Sequence, residues 1–192
     1  MKSLTAGQAT KPLPGESDLV YGAKSGNADA FAQLYDGYVD RVYRYIFFRV
    51  SDDLTAEDLT SQVFLKAWEN LVRYEPRSSP FLAWLYTIAR NTVIDHYRTS
   101  KQSVSLDEVT SLAGEGDGLD DQIEQYFEAE SLREALYELT DEQQQVLILK
   151  FIAGFTTEEV ARQMDKREGA VRALQMRALQ ALAKRMKEDI TA

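Results

Sequence analysis

Cysteine is absent from this 192-residue chain and histidine occurs once, as His96. Disulfide frameworks, thiolate metal sites and histidine-rich centres are therefore excluded, and the composition fits a reducing cytoplasm. The start, Met1-Lys2-Ser3-Leu4-Thr5-Ala6-Gly7-Gln8, has no apolar secretion core. No apolar run approaches the roughly 20 residues that span a bilayer. A soluble, cytoplasmic protein is expected. No strand pattern appears, and no acid, base, nucleophile or metal-ligand set converges, so neither an enzyme nor a cofactor or metal site is expected. Asp95 beside His96 lacks a nucleophile or metal partner nearby, so the pair is not read as catalytic.

What is abundant is acid, and it is unevenly placed. The formal net charge is −9, made of +1 over residues 1–16, −2 over 17–100, −11 over 101–145 and +3 over 146–192. The deficit therefore belongs to the middle of the chain. From Val160 to Lys187 there are 8 basic and 2 acidic side chains. Charge position, not its sum, governs partner binding.

Hydrophobic periodicity predicts an all-α protein of two small helical domains. Residues 1–16, with Pro12, Pro14 and Gly15, read as a disordered tail. Residues 17–100 read as the first domain. Ser17 or Asp18 caps a short helix, and Asn27 precedes a long one reaching about Val50. Thr55-Ala56-Glu57-Asp58 opens a third as a capping-box-like start, with Leu59, Val63, Phe64, Ala67, Trp68, Leu71 and Val72 on one stripe. Glu75 to Pro80 stops it, and a fourth helix runs from about Phe81 to Ser100. Residues 101–119 read as an acidic flexible linker with interleaved Ser and Gly. Residues 120–192 form the second domain, with a helix to about Leu139 and capping boxes at Thr140 and Thr156.

The last fifty residues carry the strongest functional signal. A short helix from Thr156, a four-residue turn and an arginine-studded helix from about Gly169 read as a helix-turn-helix. In that motif the second helix enters the major groove while phosphate neutralisation supplies most of the affinity. Lys166, Arg167, Arg172 and Arg177 are placed for this role. The bland reading is a helical hairpin with a solvated basic face.

Three longer stretches extend the signal. Thr140-Asp141-Glu142-Gln143-Gln144-Gln145-Val146-Leu147 through Thr156-Thr157-Glu158-Glu159-Val160-Ala161 resembles the −35-binding domain of bacterial sigma factors. Ala56-Glu57-Asp58-Leu59-Thr60-Ser61-Gln62-Val63-Phe64-Leu65-Lys66-Ala67-Trp68 and Trp84 through Arg98 are similar to the −10 domain. Both sets in order, with a short linker between, resemble the extracytoplasmic-function (ECF) group. The resemblance implies a non-catalytic RNA polymerase subunit that binds core enzyme and promoter DNA and is restrained by an anti-sigma factor. It implies core-polymerase docking through Asp58, Gln62 and Lys66, whose four-residue spacing independently places them on one helix face. It implies capture of a flipped −10 base by Tyr74 and Asn91, with Arg77, Arg90 and Arg98 on phosphates. Trp84 is read as core and not as a melting wedge; Phe81 is ambiguous.

The turn departs from the family. Asp165 stands where glycine is common, Lys166 where an apolar residue is usual, and Arg167 where Ser or Thr would cap the helix. Aspartate tolerates a left-handed turn at some cost, and a cation at a positive helix end points to a phosphate contact. The acidic stretch Asp107 to Glu142 reads either as a solubilising linker or as a mask that lies in a basic polymerase channel or folds back on the basic helix. The rival functions are a conventional helix-turn-helix regulator acting without polymerase, and a helical adaptor with no DNA role.

Overall fold

The computed structural model describes residues 11–77, 79–103 and 120–191, and all regular structure among them is helical. The N-terminal half contains α1 (Glu16–Lys24), α2 (Ala28–Phe47), α3 (Asp53–Asn70) and α4 (Phe81–Ser103), with a single 3₁₀ turn at Leu71–Arg73. The C-terminal half contains α5 (Asp120–Tyr137), α6 (Asp141–Leu147), α7 (Thr157–Gln163) and α8 (Glu168–Thr191). The two expected helical domains are present. The linker expected at residues 101–119 lies outside the described residues from 104 onward.

Local signals explain most boundaries. Asn27 caps α2 by accepting from the Ala30 N–H at 3.1 Å, as expected. The third helix starts earlier than Thr55: Asp52 is its cap, accepting from the Thr55 N–H and hydroxyl, each at 2.8 Å. Thr55 is thus a capping donor and not the cap. The same helix ends at Asn70, so Val72 falls in the 3₁₀ turn and is 70% exposed. The apolar stripe does not continue past the last helical turn. Trp68 is also only partly covered, edge-on to Phe31 at 4.8 Å.

The tail expected over residues 1–16 is anchored where it is described. The Leu13 N–H donates to the Tyr38 hydroxyl at 3.4 Å, and Arg41 donates to the Lys11 carbonyl at 3.2 Å. Leu13 fills a notch over Gly37, where a Cβ would overlap its methyl groups. A small residue within α2 thus creates a seat for an apolar residue of the N-terminal segment.

The core of the N-terminal half joins Leu34, Val42 and Ile46 of α2, Leu59 and Val63 of α3, and Phe81, Leu85 and Val93 of α4. In the C-terminal half, both expected capping boxes form, at Thr140–Gln143 and Thr156–Glu159. Between them the chain passes through a π-helical turn, Ile148–Ile152, closed by Ala153 N–H to Ile148 C=O at 2.8 Å. Gly154 then turns the chain with φ +72°. The π turn rotates Phe151 outward, leaving it 55% exposed.

The two halves are packed together. Tyr86 of α4 meets Phe155 at 5.5 Å between ring centres, and Tyr97 meets Tyr137 at 6.3 Å. Buried residues of both halves belong to one continuous apolar cluster.

Candidate nucleic-acid interface

The turn between α7 and α8 is a Schellman motif. The Lys166 N–H reaches the Ala161 carbonyl at 2.9 Å, and the Asp165 N–H reaches Arg162 at 3.3 Å. Asp165 holds the left-handed position with φ 51° and is the single non-glycine residue with positive φ among the described residues. The departure from glycine therefore leaves the turn geometry intact. Val171 N–H donates to the Arg167 carbonyl at 3.1 Å, which starts α8. Val171, Leu174 and Ala178 seat α8 on α6 and α7.

The four basic residues expected to meet −35 DNA differ in state. Arg167 and Arg177 are exposed, without an ion pair among the described residues. Arg172 pairs with Glu168 at 2.6 Å on the outer surface, an i,i+4 contact that solvent weakens. Lys166 is half-buried and pairs with Glu142 at 2.7 Å. Glu142 lies in the first turn of α6, so this pair is a contact within the C-terminal half. Residues Asp107 to 119 of the acidic segment lie outside the described residues.

On α4 two adjacent faces matter. Trp84, Asn91 and Arg98 recur every seven residues and so lie on one side, Asn91 about 10 Å along the axis from Trp84. Asn91 and Arg98 are exposed, Arg98 close to Asp95 at 3.9 Å, and Arg77 is exposed on the preceding loop. His96 is half-buried and lies edge-on to Tyr97. Tyr74 contradicts the expected open stacking face: it is 4% exposed, its ring on Trp84 at 4.8 Å and Phe81 at 5.4 Å. Its hydroxyl donates to the Ser79 carbonyl at 2.7 Å. Burial, helped by the charge of Glu16, pushes that phenol up to about 12, so it stays a neutral donor. Phe81 is core, and Trp84 completes the same aromatic cluster as a partly buried member.

The neighbouring face of α4 carries Ala83, Thr87 and Arg90, and the C-terminal half covers it. Gln163 of α7 donates to the Ala83 carbonyl at 3.1 Å and the Thr87 hydroxyl at 2.9 Å. Arg90 lies 3.7 Å from the Asp141 carboxylate. That same carboxylate binds Arg49, which follows α2 and is 3% exposed. Arg49 also donates to the Gln145 side-chain oxygen, which receives the Tyr45 hydroxyl at 2.6 Å. Opposite, Arg133 of α5 binds Asp53 and Glu130, each at 2.5 Å, donates to the Ser51 carbonyl at 3.1 Å, and lies 4.4 Å over the Phe47 ring. Arg49 Nε and Gln145 Nε2 are buried without a hydrogen-bond partner among the described residues.

Of the residues expected to dock polymerase, Asp58 and Gln62 share an exposed face and bond each other at 2.8 Å. Lys66 instead crosses to the Thr92 hydroxyl at 3.0 Å, tying α3 to α4. Sequence reasoning missed Arg49, Asp141, Gln145 and Arg133 as the polar residues that join the two halves. The one available signal was an arginine, Arg49, inside an apolar run at the end of a buried helix.

Comparisons with known proteins agree with this layout. Residues 34–103 match the Sigma-70 region 2 family and residues 129–182 match Sigma-70, region 4. The ECF RNA polymerase sigma factor BldN of Streptomyces coelicolor is 40% identical over 90% of this chain, and the chain spans 66% of that relative. The ECF sigma factor SigX of Bacillus subtilis is 32% identical over 82% of this chain and 84% of its own length. The fold is shared with the sigma factor RpoE of Bartonella quintana, solved in complex with the anti-sigma factor NepR. That match has a TM-score of 0.61 at 24% identity, covering 82% of this chain and 96% of that one. With both regions matched in order and two ECF relatives at this identity, the chain belongs to the sigma-70 family, in its extracytoplasmic-function group.

Proposed function

We propose that this chain is the promoter-specificity subunit of an RNA polymerase: it binds core enzyme, reads the −10 and −35 elements and helps open the promoter. The observation that carries this is one chain holding a helix-turn-helix and an exposed Asn91–Arg98 face on α4, arranged as regions 4 and 2 of the family. Asn91 reads a base edge of the opened strand while Arg77, Arg90 and Arg98 hold its phosphates. Tyr74 forms the floor beneath the loop, holding the Phe81 and Trp84 rings in place. Lys166, Arg167, Arg172 and Arg177 bind −35 DNA, through backbone and groove shape more than base edges, because Ala170 and Ala173 leave few polar readers at the start of α8. Asp58 and Gln62 dock on core polymerase, with Lys66 holding that face against α4.

The packed halves are not the DNA-bound form. Elements centred 25 base pairs apart lie about 85 Å from each other at 3.4 Å per pair. The 16 residues between α4 and α5 reach at most about 55 Å when extended. The halves must separate. An anti-sigma factor is the fitting restraint, supported by the complex in which the Bartonella relative was solved. Runoff transcription with purified core polymerase on a genomic promoter library tests the proposal. Co-purification with core and discrete starts are expected; failure of both contradicts it.

A further inference from the structure

Arg49 is enclosed as a cation, yet every side-chain acceptor its guanidinium has belongs to the C-terminal half. Those acceptors are the Asp141 carboxylate and the Gln145 side-chain oxygen. The second oxygen of Asp141 faces Arg90 at 3.7 Å. One carboxylate thus sits between two guanidinium groups from the N-terminal half, one following α2 and one on α4. When the halves separate, Asp141 and Gln145 leave together, and the two arginines are left side by side without an anion. Arg90 directly precedes Asn91, on the helix that meets the opened strand under the proposed function, on which this inference rests. A planar guanidinium pair matches the oxygens of a phosphodiester as well as those of a carboxylate.

We propose that Arg49 and Arg90 form a phosphate-binding cradle for the single-stranded DNA backbone, and that the Asp141 carboxylate occupies the cradle in the closed chain in place of that phosphate. DNA and the C-terminal half then compete for the same two cations. Closure withholds a strong backbone contact, and strand capture holds the chain open. The cradle explains why a buried arginine stands at the end of α2 when an apolar residue would pack there without desolvation cost.

The test uses the full chain and a fluorescent twelve-nucleotide oligothymidylate, with affinity measured over a salt series. Dyes on Asp36→Cys and Gln180→Cys report separation of the halves in the same samples, which the cysteine-free background allows. Asp141→Asn, and more forcibly Asp141→Lys, should separate the halves. Asp141→Asn should tighten binding by about tenfold and steepen the log–log salt slope by roughly 0.7 per phosphate gained. In the Asp141→Asn background, Arg49→Gln should remove at least one such increment and most of the gain, while Arg49→Lys should keep the slope. Three results overturn the cradle: halves that stay docked in Asp141→Lys, separation without tighter binding, or a slope indifferent to Arg49→Gln. Asn91→Ala in promoter opening by the holoenzyme is read in parallel. Loss of opening in that variant with a slope indifferent to Arg49 retires the cradle and leaves the −10 reading standing. The converse pattern retires the reading and leaves the cradle.

Discussion

The Arg49 guanidinium binds the Asp141 carboxylate across 92 residues of sequence, joining the end of α2 to the first residue of α6. Arg49 is almost fully enclosed, whereas the Asp141 side chain remains about half exposed. The pair is therefore asymmetric: losing Asp141 strands a buried cation, while losing Arg49 leaves a carboxylate that water can solvate.

Asp141→Ala should consequently loosen the docking of the halves more than either half's own fold. Undocking limits the penalty, so a loss of about 1–3 kcal/mol is expected in place of the larger cost of a fully buried unpaired charge. Urea unfolding followed by tryptophan fluorescence and by circular dichroism checks this. The two probes should coincide for the natural chain and separate for the variant, because both tryptophans, Trp68 and Trp84, lie in the N-terminal half.

Leu13 and Gly37 should behave as a coupled pair. Alanine at Gly37 gains up to about 1 kcal/mol of helix propensity. It also expels Leu13 from its notch, forfeiting about as much apolar burial. Gly37→Ala should thus be near neutral or destabilising in the natural chain, and stabilising by about 0.8–1 kcal/mol when Leu13 is already alanine. A double-mutant cycle by thermal denaturation reads the difference; additive effects would show that the N-terminal segment does not occupy the notch.

Much of this architecture was legible in short-range patterns, and the exceptions are instructive. The Thr140 and Thr156 capping boxes and the Asn27 cap each rest on contacts within three residues, which a sequence displays directly. Asp52 was overlooked because Thr55 offers an equally good cap, and only the backbone path decides which oxygen reaches which N–H. Tyr74 matched a family position by type, but its ring is claimed by Trp84 and Phe81, a tertiary contact that spacing does not reveal. The docking residues Arg49, Gln145 and Arg133 were invisible for the same reason. Each is an ordinary polar residue until a partner 80 to 100 positions away is placed beside it.

Asp52 should add a pH-dependent component to stability. Burial alone would raise its carboxyl, but the Thr55 N–H and hydroxyl outweigh burial and hold it below the usual carboxylate range. A depressed folded value means its contribution is present above the unfolded pKa of about 3.9 and is lost as pH falls through the folded value. Asp52→Ala should cost about 1 kcal/mol near neutral pH, and its deficit should shrink as acid protonates the natural cap. Urea midpoints of both proteins from about pH 6 down to about pH 3 test that sign.

Asp165 should be replaceable by glycine but not by a β-branched residue. Its φ of 51° is relieved by glycine, for a gain of up to about 1 kcal/mol, whereas valine should lose at least about 1 kcal/mol. Melting temperatures of Asp165→Gly and Asp165→Val should lie on opposite sides of the natural chain. If both fall equally, the aspartate side chain contributes more than tolerance of the turn.

The most direct test of the account is the distance between the halves, measured by energy transfer between dyes on Asp36→Cys in α2 and Gln180→Cys in α8. A single short distance is expected for the chain alone, and a much longer one when core polymerase and promoter DNA are added. A distance that stays short in a holoenzyme that is actively starting transcripts would contradict it.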